Sequence, residues 1–224
     1  MAIMLPSLPV SDPDLRTRRA ATVATLMVTA AVPAVVAAQV TAGSGYDSVV
    51  DPLSSLYWTR EGWWFPIAVA LFGVGALAAA TAVGGGGRVG RTIGTLLALA
   101  GAGAGAAALF PADQLQPTWV GEVHRTGSLL LLLTPLLAGV LAVARQRRIG
   151  HGDAVLTVLL VCAAGSGTWF LAGFVASTSA RVEDLPTSTV GLAQRILALA
   201  VIGVVARLAG TALRAASDHD RRGR

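Results

Sequence analysis

Six apolar runs, each about as long as a hydrocarbon bilayer is thick, limit what this chain can become. They cover roughly Ala20–Thr41, Trp63–Val83, Thr92–Phe110, Glu122–Ala144, Ala154–Ala176 and Val190–Leu213. A helix crosses the hydrocarbon core with about 20 mostly apolar residues. In lipid the backbone must satisfy its own hydrogen bonds, which leaves helices or a closed barrel. A membrane barrel needs strands of alternating polarity, and these runs do not alternate. The expected fold class is therefore all-α, a polytopic membrane bundle of six transmembrane helices. Only 13% of the 224 residues are charged, against about 25% in a soluble domain, so a soluble enzyme or a disordered chain is excluded. The division expected is a cytoplasmic segment 1–19, a transmembrane domain 20–213 and a basic cytoplasmic tail 214–224.

Arginine placement gives the expected orientation, because short cytoplasmic loops collect positive charge. All 17 basic residues are arginine. Thirteen fall on one side: Arg16, Arg18, Arg19, Arg88, Arg91, Arg145, Arg147, Arg148, Arg207, Arg214, Arg221, Arg222 and Arg224. The other side holds Arg60, Arg125, Arg181 and Arg195, together with Asp47, Asp51, Glu61, Asp113, Glu122, Glu183 and Asp184. Both termini are thus expected in the cytoplasm. The net charge of +5 is dispersed in short connectors, so no nucleic-acid partner is expected. The first run imitates a secretory signal, but its long leader with Asp12 and Asp14 favours a retained span.

Small residues forecast packing. In the third run Gly90, Gly94, Ala98, Ala102 and Ala106 repeat at intervals of four, beside Gly101 and Gly105. Small residues let helix backbones approach in lipid, so this helix is expected to be central and tightly packed. Pro33 and Pro135 are expected to kink the first and fourth spans. The stretch Gly85-Gly86-Gly87-Arg88-Val89-Gly90-Arg91-Thr92 nearly spells a phosphate loop, but that motif needs a preceding strand in an α/β unit; a turn between spans is expected. Cys162 lies inside an apolar run and reads as a small buried hydrophobe. Its solitude excludes an internal disulfide. With three histidines and one cysteine dispersed along the chain, neither a metal nor any other cofactor is expected.

Polar and aromatic residues collect toward the outer side. All five tryptophans, Trp58, Trp63, Trp64, Trp119 and Trp169, lie there, with Tyr46, Tyr57, Phe65, Phe110, Phe170 and Phe174. An ordinary belt decorates both interfaces, so the asymmetry suggests a structured aromatic mouth. Arg195 sits inside the sixth run. It stands only about 18 Å along the helix from Arg207, at 1.5 Å per residue. Either both side chains snorkel to opposite interfaces or Arg195 turns inward to a partner, since a charge at depth needs one. Glu122 and Asp113 are the carboxylates in reach, and Glu122 with Arg125 forms an i,i+3 pair. The expectation is one partly buried polar cluster of Asp113, Glu122, His124, Arg125 and Arg195 that binds a ligand or ties helix ends together. Ser54 or Ser55 with His124 and Asp113 has the residue types of a hydrolase, yet no G-x-S-x-G elbow surrounds either serine; no catalytic residue is assigned.

These stretches carry a resemblance. "DPLSSLYWTREGWW" before the second span, "LFPADQ" closing the third, "EVHRTG" opening the fourth and "GLAQR" opening the sixth resemble the domain of unknown function 998 family, small six-span bacterial membrane proteins. The resemblance covers about residues 20–213. It implies a six-helix bundle in the bacterial cytoplasmic (plasma) membrane and no particular reaction. Asp113, His124 and Arg195 fall on the resembling stretches.

The function expected is non-enzymatic: an outer-face polar and aromatic pocket that binds a lipid or small ligand, or supports a partner complex. Membrane lipids are the expected partners, with a membrane protein or a second copy of the chain as further candidates. A transporter is the first alternative, although the span middles are almost wholly apolar where transport needs polar groups. A membrane enzyme acting on a lipid-linked substrate at the outer face is the second.

Overall fold

The computed structural model describes residues 13–113, 116–178 and 189–223. Arg181, Glu183, Asp184 and Arg224, all used in the charge count, lie outside them. The described residues form six α-helices and one short 3-10 helix, with no strand. The helices are α1 (Pro13–Val40), α2 (Trp64–Val83), α3 (Gly87–Leu109), α4 (Trp119–Arg148), α5 (Ala154–Thr178) and α6 (Val190–Gly223), and the 3-10 helix spans Leu53–Trp58. All six are long and apolar enough to cross a membrane. Leu26, Leu137, Val161 and Leu199 stay exposed in the middles of their helices, as suits a surface facing hydrocarbon rather than water.

The helices outrun their apolar stretches. At 1.5 Å per residue, the 34 residues of α6 extend about 51 Å, well beyond the roughly 30 Å hydrocarbon core. The basic segment after residue 213 therefore continues α6 as helix through Gly223. Pro33 and Pro135 lie within unbroken helices. The glycine-rich segment is a turn at 84–86 from which α3 starts.

Small side chains set the helix contacts. On α1, Ala21, Ala24, Val28, Ala31 and Ala38 are buried. A Cβ on Gly75 of α2 would stand 3.2 Å from the carbonyl oxygen of Ala24, so these two backbones meet closely. The same happens where α3 crosses α4: a Cβ on Gly103 would stand 2.5 Å from the carbonyl oxygen of Gly127. One expectation is corrected here. The central helix is α6, which packs on α1, α2, α4 and α5, whereas α3 packs on α2 and α4. The four-residue stripe also fails to bury as a unit: Gly90 and Gly94 are buried, but Ala102 is exposed. A step of four advances about 40° beyond a full turn at 3.6 residues per turn, so five such positions wind off any single face. Gly90 and Gly94 of the stripe do meet the end of α2, at Val83 O and Ala80 O; beyond them the close contacts pass to Gly101, against α2, and Gly103, against α4, while nothing lies within 4 Å of a Cβ on Gly105. Cys162 is exposed on α5, not buried.

The start of α1 and the last turns of α6 come to one rim, where Arg18 Nη2 donates to the carbonyl oxygen of Ala216 at 2.8 Å. This is the arginine-rich rim. The connector 41–63, residues 110–113 and 116–118, and the start of α6 make the opposite, aromatic rim.

Candidate functional site

A cavity of about 90 Å³ opens between α1, α2, α3, α4 and α6 beneath the 3-10 helix. Its deep wall is apolar, with Phe72, Leu131, Leu132, Val201 and Ile202; its polar lining is Ser54, His124, Ser128 and Gln194, toward the aromatic rim. From His124 to Leu132 is about 12 Å along a helix, so the space is polar at one end and apolar toward the middle of the bundle.

His124 is fixed by its surroundings. It is buried at 6% exposure. Its Nδ1 lies 2.8 Å from the carbonyl oxygen of Phe110. A carbonyl only accepts, so Nδ1 carries the proton and Nε2 of the neutral ring is an acceptor. Tyr57 packs its ring edge-on to His124 at 5.8 Å between centroids, and to Phe65 at 5.2 Å. The Tyr57 hydroxyl reaches the carbonyl oxygens of Ala107 and Ala108, at 2.6 and 2.7 Å. These are orphan acceptors of the last turn of α3. Burial pushes the Tyr57 phenol up to about 12. Ser128 lies one turn beyond His124 on α4. Among the described residues, neither Nε2 of His124 nor the hydroxyls of Ser54 and Ser128 has a hydrogen-bond partner. Gln194 Oε1 accepts from Leu53 N at 2.7 Å, which fixes the 3-10 helix as the roof.

Besides His124 in the cavity, the polar residues expected in one cluster fall into three groups. Arg195 turns inward, to the first connector rather than to Asp113 or Glu122. Its Nε donates to Gln39 Oε1 at 2.6 Å, Nη1 to the carbonyl oxygen of Asp51 at 2.9 Å, and Nη2 to the Tyr46 hydroxyl. Two backbone bonds tighten the seam, from Gly191 N to Val50 O at 3.2 Å and from Leu192 N to Val49 O at 2.9 Å. Gly191 lies so close to the carbonyl oxygen of Asp51 that no Cβ fits between them. Asp113 instead builds the start of α4. It accepts from the Thr118 hydroxyl at 2.6 Å and from Thr118 N at 3.2 Å, and Thr118 Oγ1 accepts from Gly121 N at 3.1 Å as the helix cap. The Thr118 hydroxyl hydrogen bond, helped by that of the Thr118 amide and by the charge of Arg125, holds the Asp113 carboxyl below its usual range against its desolvation. Glu122 and Arg125 pair at 2.9 Å on the exposed face of α4. Asp113 thus makes no hydrogen bond to His124, and the hydrolase set is not assembled through it.

The tryptophans do not line the cavity. Trp58, Trp63, Trp119 and Trp169 are exposed. Trp63 stacks on Trp64 at 4.1 Å, its Nε1 donates to Glu61 Oε2 at 2.7 Å, and Trp119 meets Phe110 edge-on at 5.9 Å. The cavity's own aromatic rings are Phe65 and Phe72.

Sequence reasoning passed over Asp153, at the arginine-rich rim. Its side chain, 4% exposed, accepts from Arg207 Nε at 2.8 Å and from Leu156 N at 3.0 Å. Burial disfavours the charge of Asp153, but the hydrogen bonds from Arg207 and Leu156 outweigh it and hold the carboxyl below its usual range. The signal was present: Asp at the position before a helical run, ahead of Ala154 to Thr157, is a strong cap.

Six helices, each long and apolar enough to cross a membrane, define a multi-pass α-helical membrane protein. The family model described as "Protein of unknown function (DUF998)" matches residues 15–211, and the chain belongs to that family. No curated protein and no solved structure matches it.

Proposed function

We propose that this protein binds a small amphipathic molecule, an apolar body ending in a hydroxyl, in the cavity beneath the 3-10 helix. The observation that carries the reading is His124. Its Nδ1 proton is spent on Phe110, which leaves an acceptor, Nε2, without a partner among the described residues, in a mostly apolar cavity whose other polar lining is Ser54, Ser128 and Gln194. An acceptor in a mostly apolar cavity gains from a donor, and a hydroxyl placed there supplies one. Ser54 and Ser128 can donate or accept beside it. Enclosed, mostly apolar space with a few convergent polar groups is the usual form of a ligand site.

The volume sets the size of what enters. An engineered apolar cavity of about 150 Å³ takes benzene, so 90 Å³ suits one slim alkyl or prenyl end rather than a whole phospholipid. The buried polar groups of the span middles favour binding over transport. Thr134 and Ser166 turn back on their own helices, donating to the carbonyl oxygens of Leu130 at 2.8 Å and Cys162 at 2.7 Å. They offer no polar path at the depth where a transporter holds its substrate.

Photolabelling tests this. A medium-chain alcohol bearing a diazirine near its apolar end should label α4 or α6 near Leu132 or Val201, and the matching alkane should label them far less. His124→Phe keeps the ring against Tyr57 and removes the acceptor; it should erase the preference for the alcohol. Equal labelling by alcohol and alkane in the wild type would refute the reading.

A further inference from the structure

A second cavity, of about 570 Å³, opens at the arginine-rich rim between α1, α2, α4 and α6. It is far from His124 and independent of the reading above. Its walls are Val83, Ala212 and Ala215, with Thr17 and Gly86 at the edge, and its one charged lining group is Arg145. The Arg145 side chain is exposed, and among the described residues its guanidinium makes no hydrogen bond or ion pair. It reaches over the turn before α3: a Cβ on Gly86 would lie 3.2 Å from its Nη1, so the missing side chain is what gives it room. The start of α3 beside it has no side-chain cap; Gly87 N donates back to Gly85 O at 3.1 Å, and the N–H groups that follow it in a helix's first turn have no acceptor within the helix. Arg18, bonded to Ala216 on the wall, adds positive charge at the opening.

An apolar trough, an unpaired guanidinium and an uncapped helix start match one chemistry, a phosphate ester carrying acyl chains. The phosphate oxygens accept from the planar fork of arginine, and helix N-termini favour anions. Neither a free anion nor a neutral lipid uses both halves of the cavity. We propose that this cleft seats one anionic phospholipid, its phosphate on Arg145 and the start of α3, and its first acyl carbons against Val83, Ala212 and Ala215. Basic pockets between transmembrane helices hold such head groups by the same physics.

The test uses the full chain in nanodiscs of phosphatidylcholine doped with phosphatidylglycerol, followed by gentle detergent transfer and native mass spectrometry. Wild-type protein should retain one phosphatidylglycerol in preference to phosphatidylcholine. Arg145→Ala should retain it about fivefold less, the effect of one arginine at a lipid surface. Arg147→Ala, on the same helix but outside the cavity, should leave retention unchanged. Ala215→Trp fills the trough without removing charge and should displace the lipid equally, which keeps the proposal testable if Arg145→Ala folds poorly. Millimolar inorganic phosphate should not compete. Equal losses in Arg145→Ala and Arg147→Ala would show diffuse attraction and overturn the proposal. Retention in Ala215→Trp, or full competition by inorganic phosphate, would overturn it as well.

Discussion

The Arg195 guanidinium lies over the ring of Tyr46, 5.4 Å from its centroid, while Nη2 donates to the hydroxyl of the same residue. This contact joins the first connector to the start of α6, and with it the roof of the cavity. Removing it leaves Gln39 Oε1 and the carbonyl oxygen of Asp51 without their donor. Hydrogen bonds to charged groups contribute about 1.5–3 kcal/mol each. Arg195→Ala should therefore lower the melting temperature in detergent by at least about 5 °C and open residues 41–63 to protease. Arg195→Lys should recover little, because an ammonium cannot reproduce the fork. Unchanged proteolysis of that connector in Arg195→Ala would contradict its role as the clasp.

Asp153 and Arg207 make the corresponding joint at the other rim. Asp153→Asn keeps a cap acceptor for Leu156 and loses the ion pair; Asp153→Ala loses both. Breaking a buried pair costs about 3–5 kcal/mol, and the lost cap adds about 1 kcal/mol. The pH dependence has a definite sign. The folded-state carboxyl lies below its ordinary range, so its contribution is complete above about pH 4, the value of an unfolded Asp. It is lost as the pH falls through the folded value. Wild-type melting temperature should drop more steeply below about pH 4 than that of Asp153→Asn. Parallel curves would exclude the ion pair as a source of stability.

Tyr57 predicts an alkaline limit. Its phenol is pushed up to about 12, against about 10 in an unfolded chain. The folded state keeps a proton that the unfolded state has released, so stability falls as pH rises between those values. Absorbance titration should show no ionisation of Tyr57 until about pH 12. Tyr57→Phe should remove that part of the alkaline instability while exposing the carbonyl oxygens of Ala107 and Ala108. Ionisation of both tyrosines near pH 10 in the folded protein would contradict this geometry.

Gly103 and Gly105 are two residues apart and should respond oppositely to a side chain. A Cβ at Gly103 meets Gly127 O at 2.5 Å, and at Gly105 it meets nothing within 4 Å. Gly103→Leu should destabilise by about 1–3 kcal/mol or more, as overpacking does. Gly105→Leu should be neutral or stabilising, since glycine costs about 1 kcal/mol in a helix. Comparable melting temperatures for the two variants would place the α3–α4 contact elsewhere.

The sequence made the six helices legible because bilayer thickness imposes a length that composition satisfies at six places. Their ends were not legible, since α6 continues as helix past its apolar stretch to Gly223. That Arg195 must turn to partners could be read from its depth. Which partners could not: Gln39, Tyr46 and the Asp51 backbone are more than 140 residues away, and a polar amide or phenol gives no charge signal. The cavity was hidden for a related reason. Its lining comes from five helices, and helices apolar all round do not declare which face points inward. His124 was visible as a candidate; the proton it spends on Phe110 required coordinates.

The most direct measurement is native mass spectrometry of gently extracted protein, comparing wild type with Ala198→Trp, which fills the cavity lined by His124. Wild type should carry one small hydroxyl-bearing apolar molecule, releasable by organic solvent, and the variant none. A folded variant that holds the same molecule, or a wild type that stays empty when saturated with medium-chain alcohols, would contradict the account.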